Sequence, residues 1–224
     1  ISLGLVGSEM CIRDRNGKKK YTKTDHIPLR ADRDHPPGVL LIEQDITEFI
    51  VEREKREKIF RGLIEAFVGE VDSRQPNSAR TNARLISRVA RGAAEEMGLS
   101  PVAVETAELA GELMNLGTVS LSQDLLSKGG NRNEEERKKY REAILRSADL
   151  VAGLEFEGPV ADVIRQAQER IDGTGWPKQL RGDSILPAAK VVAVVKRLID
   201  LVQGQDGPSQ SLDAAIRTVL AEAG

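Results

Sequence analysis

The stretch ERIDGTGWPKQLRGDSILPAAKVVAVV, residues 169–195, decides the fold of this chain. Its first half is irregular, because Gly173, Gly175 and Pro177 interrupt any regular helix or strand. Pro187 then opens a helix that is apolar on almost every side, and a helix of this kind belongs at the centre of a bundle. The stretch therefore predicts a Gly-rich loop next to the central helix of a helical domain.

Helix signals lie on both sides of this stretch. Ser100-Pro101 supplies an N-cap and a first-turn proline, and Gly117 ends the helix that they begin. On a helical wheel Met114 shares the inner face of that helix with alanines, whereas Asn115 lies at its polar edge. The resulting pattern predicts helices over residues 82–97, 101–116, 134–151, 160–170, 187–202 and 212–223.

Composition agrees with a mainly α fold. Only 3% of the 224 residues are aromatic, and the formal net charge is -2 with both signs interspersed. Such a surface argues against nucleic acid as a partner, since nucleic-acid-binding proteins need a basic face. No apolar run reaches the roughly 18 to 20 residues that a membrane span requires, and the start lacks the features of a signal peptide. We therefore expect a cytoplasmic protein with no membrane segment in this part of the chain.

The first 15 residues, ISLGLVGSEMCIRDR, do not begin with Met and resemble a translated sequencing-adapter read-through. We therefore leave residues 1–15 out of the predicted fold. The alternative is a genuine strand over ISLGLV. Cys11, the only cysteine, lies in this segment, so the remainder has no thiol for a disulfide, a zinc site or a nucleophile.

Residues 16–46 have the pattern of β structure. Asn16-Gly17 is a hairpin signal, two strands are predicted near 20–29 and 38–43, and Asp45-Ile46-Thr47-Glu48 has the spacing of a helix-capping box. The segment resembles the C-terminal end of a PAS sensor domain with its D-I-T-E exit. Because two strands cannot enclose a ligand pocket, the sensed ligand cannot be inferred from this remnant.

A long linker helix is predicted over residues 47–71. Its first half is charged, and its second half carries an apolar stripe at helical spacing, formed by Phe60, Leu63, Phe67 and Val71. The PAS resemblance implies that such a helix pairs with its copy in a homodimer and passes a signal onward. A connecting helix without a signalling role is the alternative.

Residues 67–202 resemble the HD-GYP branch of the HD phosphohydrolase superfamily. The most specific match is Asp172-Gly173-Thr174-Gly175-Trp176-Pro177, where that family has D-G-x-G-Y-P. The resemblance implies an HD-domain-like helical bundle over residues 72–224, which we expect to be truncated at its C-terminus. Active members of the family use two or three metal ions to hydrolyse cyclic di-GMP. The stretch LMNLG at 113–117 is similar to a subset of PAS-linked HD proteins.

The metal-ligand positions implied by this resemblance carry other residues in this chain. They fall on Thr81, Met114, Asn115, Thr118, Ala143, Ala167, Gln168 and Lys196. Iron, manganese and zinc need imidazole and carboxylate donors, which thioether, methyl and amide groups do not replace. Both histidines, His26 and His35, lie outside the helical domain. We therefore expect a degenerate site with no metal, no cofactor and no enzymatic activity.

The function expected from these features is an output or relay module in bacterial signal transduction that works through protein contacts or a dimer interface. The loop residues Asp172, Gly173, Gly175, Trp176 and Pro177 would contact a signalling protein such as a diguanylate cyclase, unless Trp176 only packs on the core. A sensor that binds a cyclic dinucleotide without hydrolysis is an alternative, with phosphate contacts from Arg84, Arg88, Arg170, Lys178 and Arg181. Hydrolysis of cyclic di-GMP through Glu112, Asn115, Glu169 and Asp172 is a third hypothesis.

Overall fold

The computed structural model describes residues 6–13, 19–30, 36–74, 82–204 and 208–222. These fall into two compact units, 1–64 and 65–224, whose boundary lies within the first helix. The chain is mainly helical, which confirms the predicted fold class. No helix in the described ranges has the length and apolar character needed to cross a lipid bilayer.

Eight α-helices follow three strands along these ranges. The strands are β1 Val6–Arg13, β2 Lys19–Leu29 and β3 Gly38–Asp45, and the helices are α1 Thr47–Ser73, α2 Asn82–Glu96, α3 Pro101–Leu113, α4 Gln123–Ser127, α5 Glu134–Val151, α6 Val160–Gln166, α7 Pro187–Gln203 and α8 Leu212–Glu222. Short 3₁₀ turns cover Leu116–Ser120, Gly129–Asn131 and Gly182–Ser184.

The first unit contains an antiparallel sheet in the order β1-β2-β3. Both predicted strands are present, and β1 adds a third within the residues that the sequence analysis set aside. Every residue of β3 is exposed, including four consecutive apolar side chains from Val39 to Ile42. The exit into α1 is fixed by the hydroxyl of Thr47, which accepts the N–H of Tyr21 at 2.8 Å, and by the carboxylate of Asp45, which accepts the N–H of Thr47 at 3.0 Å.

The second unit is a bundle around α7. This helix packs against α2, α3, α6 and α8, which agrees with the central position predicted from its apolar surface. α2 and α3 approach closely at Gly111, where a β carbon would lie 3.0 Å from Ile86 Cγ2 and 3.1 Å from the backbone of Ser87. Small residues on α3, such as Ala107 and Ala110, are fully buried at this approach and keep the two helices close.

Local signals placed most helix ends correctly. Ser100 caps α3 by accepting the N–H of Ala103, and Asn133 and Glu136 form both hydrogen bonds of a capping box at the start of α5. Two ends differ from the prediction. α3 stops at Leu113 and continues as a 3₁₀ turn after Asn115, and α6 stops at Gln166, before Arg170. The segments that follow make tertiary hydrogen bonds instead, from Gly117 to Ser147 and from Gln168 to Arg141.

Candidate functional site

Met114 and Asn115 lie in the turn that leaves α3, and both are buried, with 1% and 5% exposure. The inward position predicted for Met114 is confirmed. The prediction that Asn115 lies at a polar helix edge is wrong, because α3 ends at Leu113 and the helical wheel no longer applies beyond that residue. Asn115 instead begins a 3₁₀ turn that passes beneath α5.

This turn is held against α5 by a short chain of hydrogen bonds. The N–H of Gly117 donates to Ser147 Oγ at 2.8 Å, and the Ser147 hydroxyl donates to the carbonyl of Ala143 at 3.3 Å. Thr118 Oγ1 donates to the carbonyl of Asn115 at 2.7 Å. The structure therefore brings together four of the predicted ligand positions, Met114, Asn115, Thr118 and Ala143, around one turn.

Two buried oxygens of the second unit have no hydrogen-bond partner among the described residues: Asn115 Oδ1 and Asp72 Oδ1. Burial raises the pKa of the Asp72 carboxyl, while the N–H of Ala83 and the charge of Arg84 act in the opposite direction. A buried amide oxygen without a donor costs free energy, so the Asn115 side chain is a point of local frustration in the bundle.

Ala143 also belongs to an apolar cluster with leucines of the α4 region. The remaining predicted ligand positions lie just after α6 and on α7: Ala167 caps α6, and Gln168 Nε2 donates to the carbonyl of Arg141 at 3.3 Å. Lys196, on α7, forms an ion pair with Asp200 at 2.6 Å, and both side chains are more than four-fifths buried. Thr81 lies outside the described residues.

These side chains do not fit a transition-metal ion. Met114, Ala143 and Ala167 offer no hard donor, Asn115 offers an amide oxygen, and Lys196 carries an ammonium group that pairs with Asp200. Within the described ranges, no three His, Cys, Asp or Glu side chains are grouped closely enough to hold a metal ion. No chemical step can therefore be derived through a metal at these positions.

The Gly-rich loop is a second, well-ordered feature, and Glu169 fixes its shape. This carboxylate is 6% exposed and accepts the backbone N–H groups of Lys178 at 2.6 Å and Leu180 at 3.1 Å. The N–H of Trp176 donates to the carbonyl of Gln168 at 3.1 Å, and the N–H of Gly182 donates to Ile171. A single buried side chain thus ties both ends of the loop together.

Two glycines make this loop geometry possible. Gly173 has φ +82°, and a β carbon at Gly175 would lie 2.3 Å from the backbone nitrogen of Arg170. Asp172 accepts the N–H and the hydroxyl of Thr174 at 2.8 and 2.7 Å, and these bonds, with help from Arg170, lower the pKa of the Asp172 carboxyl. The conformation is therefore set by the loop's own residues.

Trp176 is half-buried and lines a cavity of about 400 Å³ with α5 residues Glu134, Glu135, Lys138 and Arg141. The ring is neither packed away in the core nor fully presented to solvent. Part of the Trp176 ring packs against the protein, and part of it is accessible to a partner. The position therefore allows both roles considered from the sequence, packing on the core and contact with another protein.

The predicted phosphate-binding residues are not gathered at one site by any contact described here. Arg84 on α2 pairs with Glu65 at 3.8 Å, whereas Arg170 pairs with Asp172 at 3.6 Å, and Arg181 lies against Gly173. Arg88 and Lys178 are exposed. Among the predicted phosphate-binding residues, Arg170 lines a sizeable cavity. Two cationic residues outside that prediction, Lys190 and Arg197, line the same cavity.

Sequence reasoning missed three residues that organise these features. Asp200, the partner of Lys196, could have been found from the i, i+4 spacing of opposite charges on one helix. Glu169 was considered only as a hydrolytic residue, and its role in the loop depends on contacts nine and eleven residues away. Glu222, which pairs with Arg197 across α7 and α8, has no local signal at all.

Comparison with known proteins gives consistent results. The HD domain family matches residues 66–224. The cyclic di-GMP phosphodiesterase response regulator RpfG of Xanthomonas campestris pv. campestris is 27% identical over 188 residues, which are 83% of this chain and 49% of that protein. This chain thus spans about half the length of that relative.

Two solved structures share the fold. Bd1817, an HDG"Y"P protein from Bdellovibrio bacteriovorus, has a TM-score of 0.54 and 21% identity, with 63% of this chain and 46% of that chain covered. A cyclic GMP-AMP specific phosphodiesterase of V. cholerae, V-cGAP3, has a TM-score of 0.55 and 18% identity, with 72% and 44% covered.

The similarity to RpfG corrects one prediction. We expected no enzymatic activity, but that expectation is overturned because the relative that matches 83% of this chain is a cyclic di-GMP phosphodiesterase. Substitutions at the predicted metal positions do not by themselves show that activity is absent.

Proposed function

This chain belongs to the HD domain family, and on that premise we propose that it is a bacterial signal-transduction module, related to cyclic di-GMP phosphodiesterases, that works as a homodimer paired through α1. The observation that carries this proposal is the row of exposed apolar side chains on α1. Contacts within the dimer would deliver the signal, and the Gly-rich loop would supply a further contact surface.

In the first unit, α1 exposes Phe49, Phe60 and Leu63 by 62%, 43% and 54%. These three occupy a and d positions of one heptad register, which is the spacing that two paired helices bury between them. In the second unit, Phe67 occupies the next a position and is 65% exposed. Exposed apolar rows of this length mark interaction surfaces more often than solvated ones.

The proposed occupant of this surface is a second copy of this chain, and the charged middle of α1 lies in the same heptad register. Arg53 and Arg56 hold the a and d positions between the two apolar segments, and each pairs within its own helix, with Glu57 at 3.6 Å and Glu52 at 3.5 Å. Polar residues at inner heptad positions lower affinity but fix the register of the pair. A defined register is what a helix that transmits a signal requires.

Sedimentation velocity tests the homodimer. We expect the wild-type chain to sediment as a dimer and Phe60→Glu to sediment as a monomer, because the substitution places a carboxylate in the apolar seam. Lys58→Glu changes charge at the exposed f position of the same register and should leave the dimer intact. A wild-type chain that stays monomeric at its highest soluble concentration refutes this proposal.

We also propose that the loop around Trp176 contacts a signalling partner such as a diguanylate cyclase. The bonds of Glu169 to the loop hold it in one conformation, and this lowers the entropy lost on binding. Aromatic side chains held in rigid loops are frequent anchors of protein interfaces. The half-buried position of Trp176 leaves part of its ring available to such a partner.

Hydrolysis of a cyclic dinucleotide is a second candidate function, favoured by the similarity to RpfG. It is compatible with a protein that also acts through its homodimer interface and the loop around Trp176. Of the polar residues considered for it, Glu169 and Asp172 are occupied by hydrogen bonds of the loop, whereas Asn115 keeps a buried oxygen without a donor. Incubation with cyclic di-GMP, with and without Mn²⁺, separates the possibilities. Turnover supports a hydrolase, and binding without turnover supports a sensor for which arginines such as Arg170 supply phosphate contacts.

A further inference from the structure

A cavity of about 440 Å³ lies between the start of the Gly-rich loop, α7 and α8. Its walls are largely apolar and include Ile171, Ile185, Val194 and Val219. Ile171 and Val194 are each 51% exposed, so the apolar wall is open to solvent on one side. The volume is within the range of small-molecule binding pockets.

Three cationic side chains border this apolar wall: Arg170, Lys190 and Arg197. The guanidinium of Arg197 makes a two-point contact with the carboxylate of Glu222, with Nη2 to Oε1 at 2.6 Å and Nε to Oε2 at 2.9 Å. Arg170 Nη2 donates to the main-chain carbonyl of Glu222 at 2.8 Å. One residue near the end of α8 thus engages two of the three cations.

α8 itself is held by few buried side chains. Ala215 is its one buried residue among those described, and Leu212 and Leu220 are 56% and 68% exposed. The pKa of the Glu222 carboxyl is lowered by its hydrogen bonds to Arg197, which indicates that the ion pair contributes to holding the helix. Because α8 buries so little apolar surface, its end is held only modestly. A ligand that replaces Glu222 therefore has only a modest interaction to displace.

We propose that this cavity binds a small amphipathic anion, with an apolar body against the α7 and α8 wall and a phosphate or carboxylate on Arg197 and Arg170. In this structure the Glu222 carboxylate occupies the position of the ligand's anionic head. The ligand therefore competes with Glu222, and binding releases the end of α8.

The charges around the cavity agree with this ligand class. Among the acidic residues that line it, Glu169 is engaged by backbone N–H groups, and Asp172 accepts bonds from Thr174 and pairs with Arg170 at 3.6 Å. Lys190 pairs at 3.3 Å with Asp183, whose side chain is fully exposed and whose interaction is correspondingly weak. Displacement of Glu222 would leave three cationic and two anionic side chains in the lining, next to an apolar wall.

Calorimetric titration with phenyl phosphate, inorganic phosphate and benzoate tests the site on the full chain. We expect Glu222→Gln to bind phenyl phosphate at least about tenfold more tightly than wild type, because the internal competitor is weakened. Asp213→Asn, which neutralises an exposed carboxylate in the first turn of α8, should match wild type. Arg197→Gln should lose the binding, and inorganic phosphate should bind more weakly than phenyl phosphate.

Benzoate distinguishes the two head groups: binding comparable to phenyl phosphate assigns a carboxylate as well as a phosphate ligand, and absence of binding restricts the site to phosphates. Hydrogen exchange of α8 gives an independent readout, since the ligand should increase exchange there in wild type. Equal affinity of wild type and Glu222→Gln for phenyl phosphate, or unchanged binding in a folded Arg197→Gln variant, would overturn the proposal.

Discussion

Replacing Gly117 with alanine lowers the free energy of unfolding by about 3 kcal/mol or more. A β carbon at this position would lie 2.0 Å from the carbonyl oxygen of Ala143 and 2.8 Å from the backbone nitrogen of Ser147. Both atoms belong to the main chain of α5, so no side chain can rotate away to make room. The variant would also lose the hydrogen bond from Gly117 to the Ser147 hydroxyl if the turn moved. Urea denaturation measures the change.

Gly153→Ala is the matched control for this prediction. No atom lies within 4 Å of a β carbon at Gly153, so the same substitution should change stability by less than about 1 kcal/mol. If both variants unfold at the urea concentration of wild type, the turn after α3 does not pack beneath α5 as described.

Replacing Glu169 with alanine is expected to cost about 3 kcal/mol and to loosen the Gly-rich loop. The substitution leaves the N–H groups of Lys178 and Leu180 without their acceptor, and each unsatisfied donor costs roughly 1 to 3 kcal/mol where water cannot replace it. Trp176 is the only tryptophan of the chain, so its fluorescence reports on the loop directly. We expect a red-shifted emission together with a lower unfolding midpoint.

Glu155→Ala, at an exposed position before α6, serves as the control and should leave both readings unchanged. Glu169→Gln should fall between wild type and Glu169→Ala, since an amide oxygen can accept one of the two N–H groups. An unchanged tryptophan spectrum in a folded Glu169→Ala variant would show that other bonds hold the loop.

Much of the fold could be predicted because its signals are local. Ser100, Asn133 and Pro187 each mark a helix start through hydrogen bonds or backbone geometry within one turn, and the structure confirms these starts. The central place of α7 followed from its apolar width alone. Membership of the HD domain family agrees with the resemblance carried by the Gly-rich loop.

The candidate site could be predicted less completely, because its contacts join residues that are distant in sequence. Asn115 was placed at a polar helix edge, but α3 ends before it, and the turn that follows is bonded through Gly117 to Ser147, thirty residues after Gly117. The ion pair between Arg197 and Glu222 joins two helices and has no signature in either. The PAS resemblance of residues 16–46 and the origin of residues 1–15 stay predictions.

We propose that the side chains at the predicted ligand positions serve packing and internal ion pairing and do not hold metal ions. Lys196 and Asp200 form a pair within α7, and Met114 and Ala143 are buried apolar groups. Cyclic di-GMP turnover is a separate measurement, suggested by the similarity to the phosphodiesterase RpfG.

The most direct test is the metal content of tag-free protein that has been equilibrated with Mn²⁺ and Fe²⁺ and then desalted. Inductively coupled plasma mass spectrometry should find only substoichiometric metal, and a chelator should leave the thermal midpoint unchanged. One or more tightly bound transition-metal ions per chain, with a lower midpoint after chelation, would contradict the account.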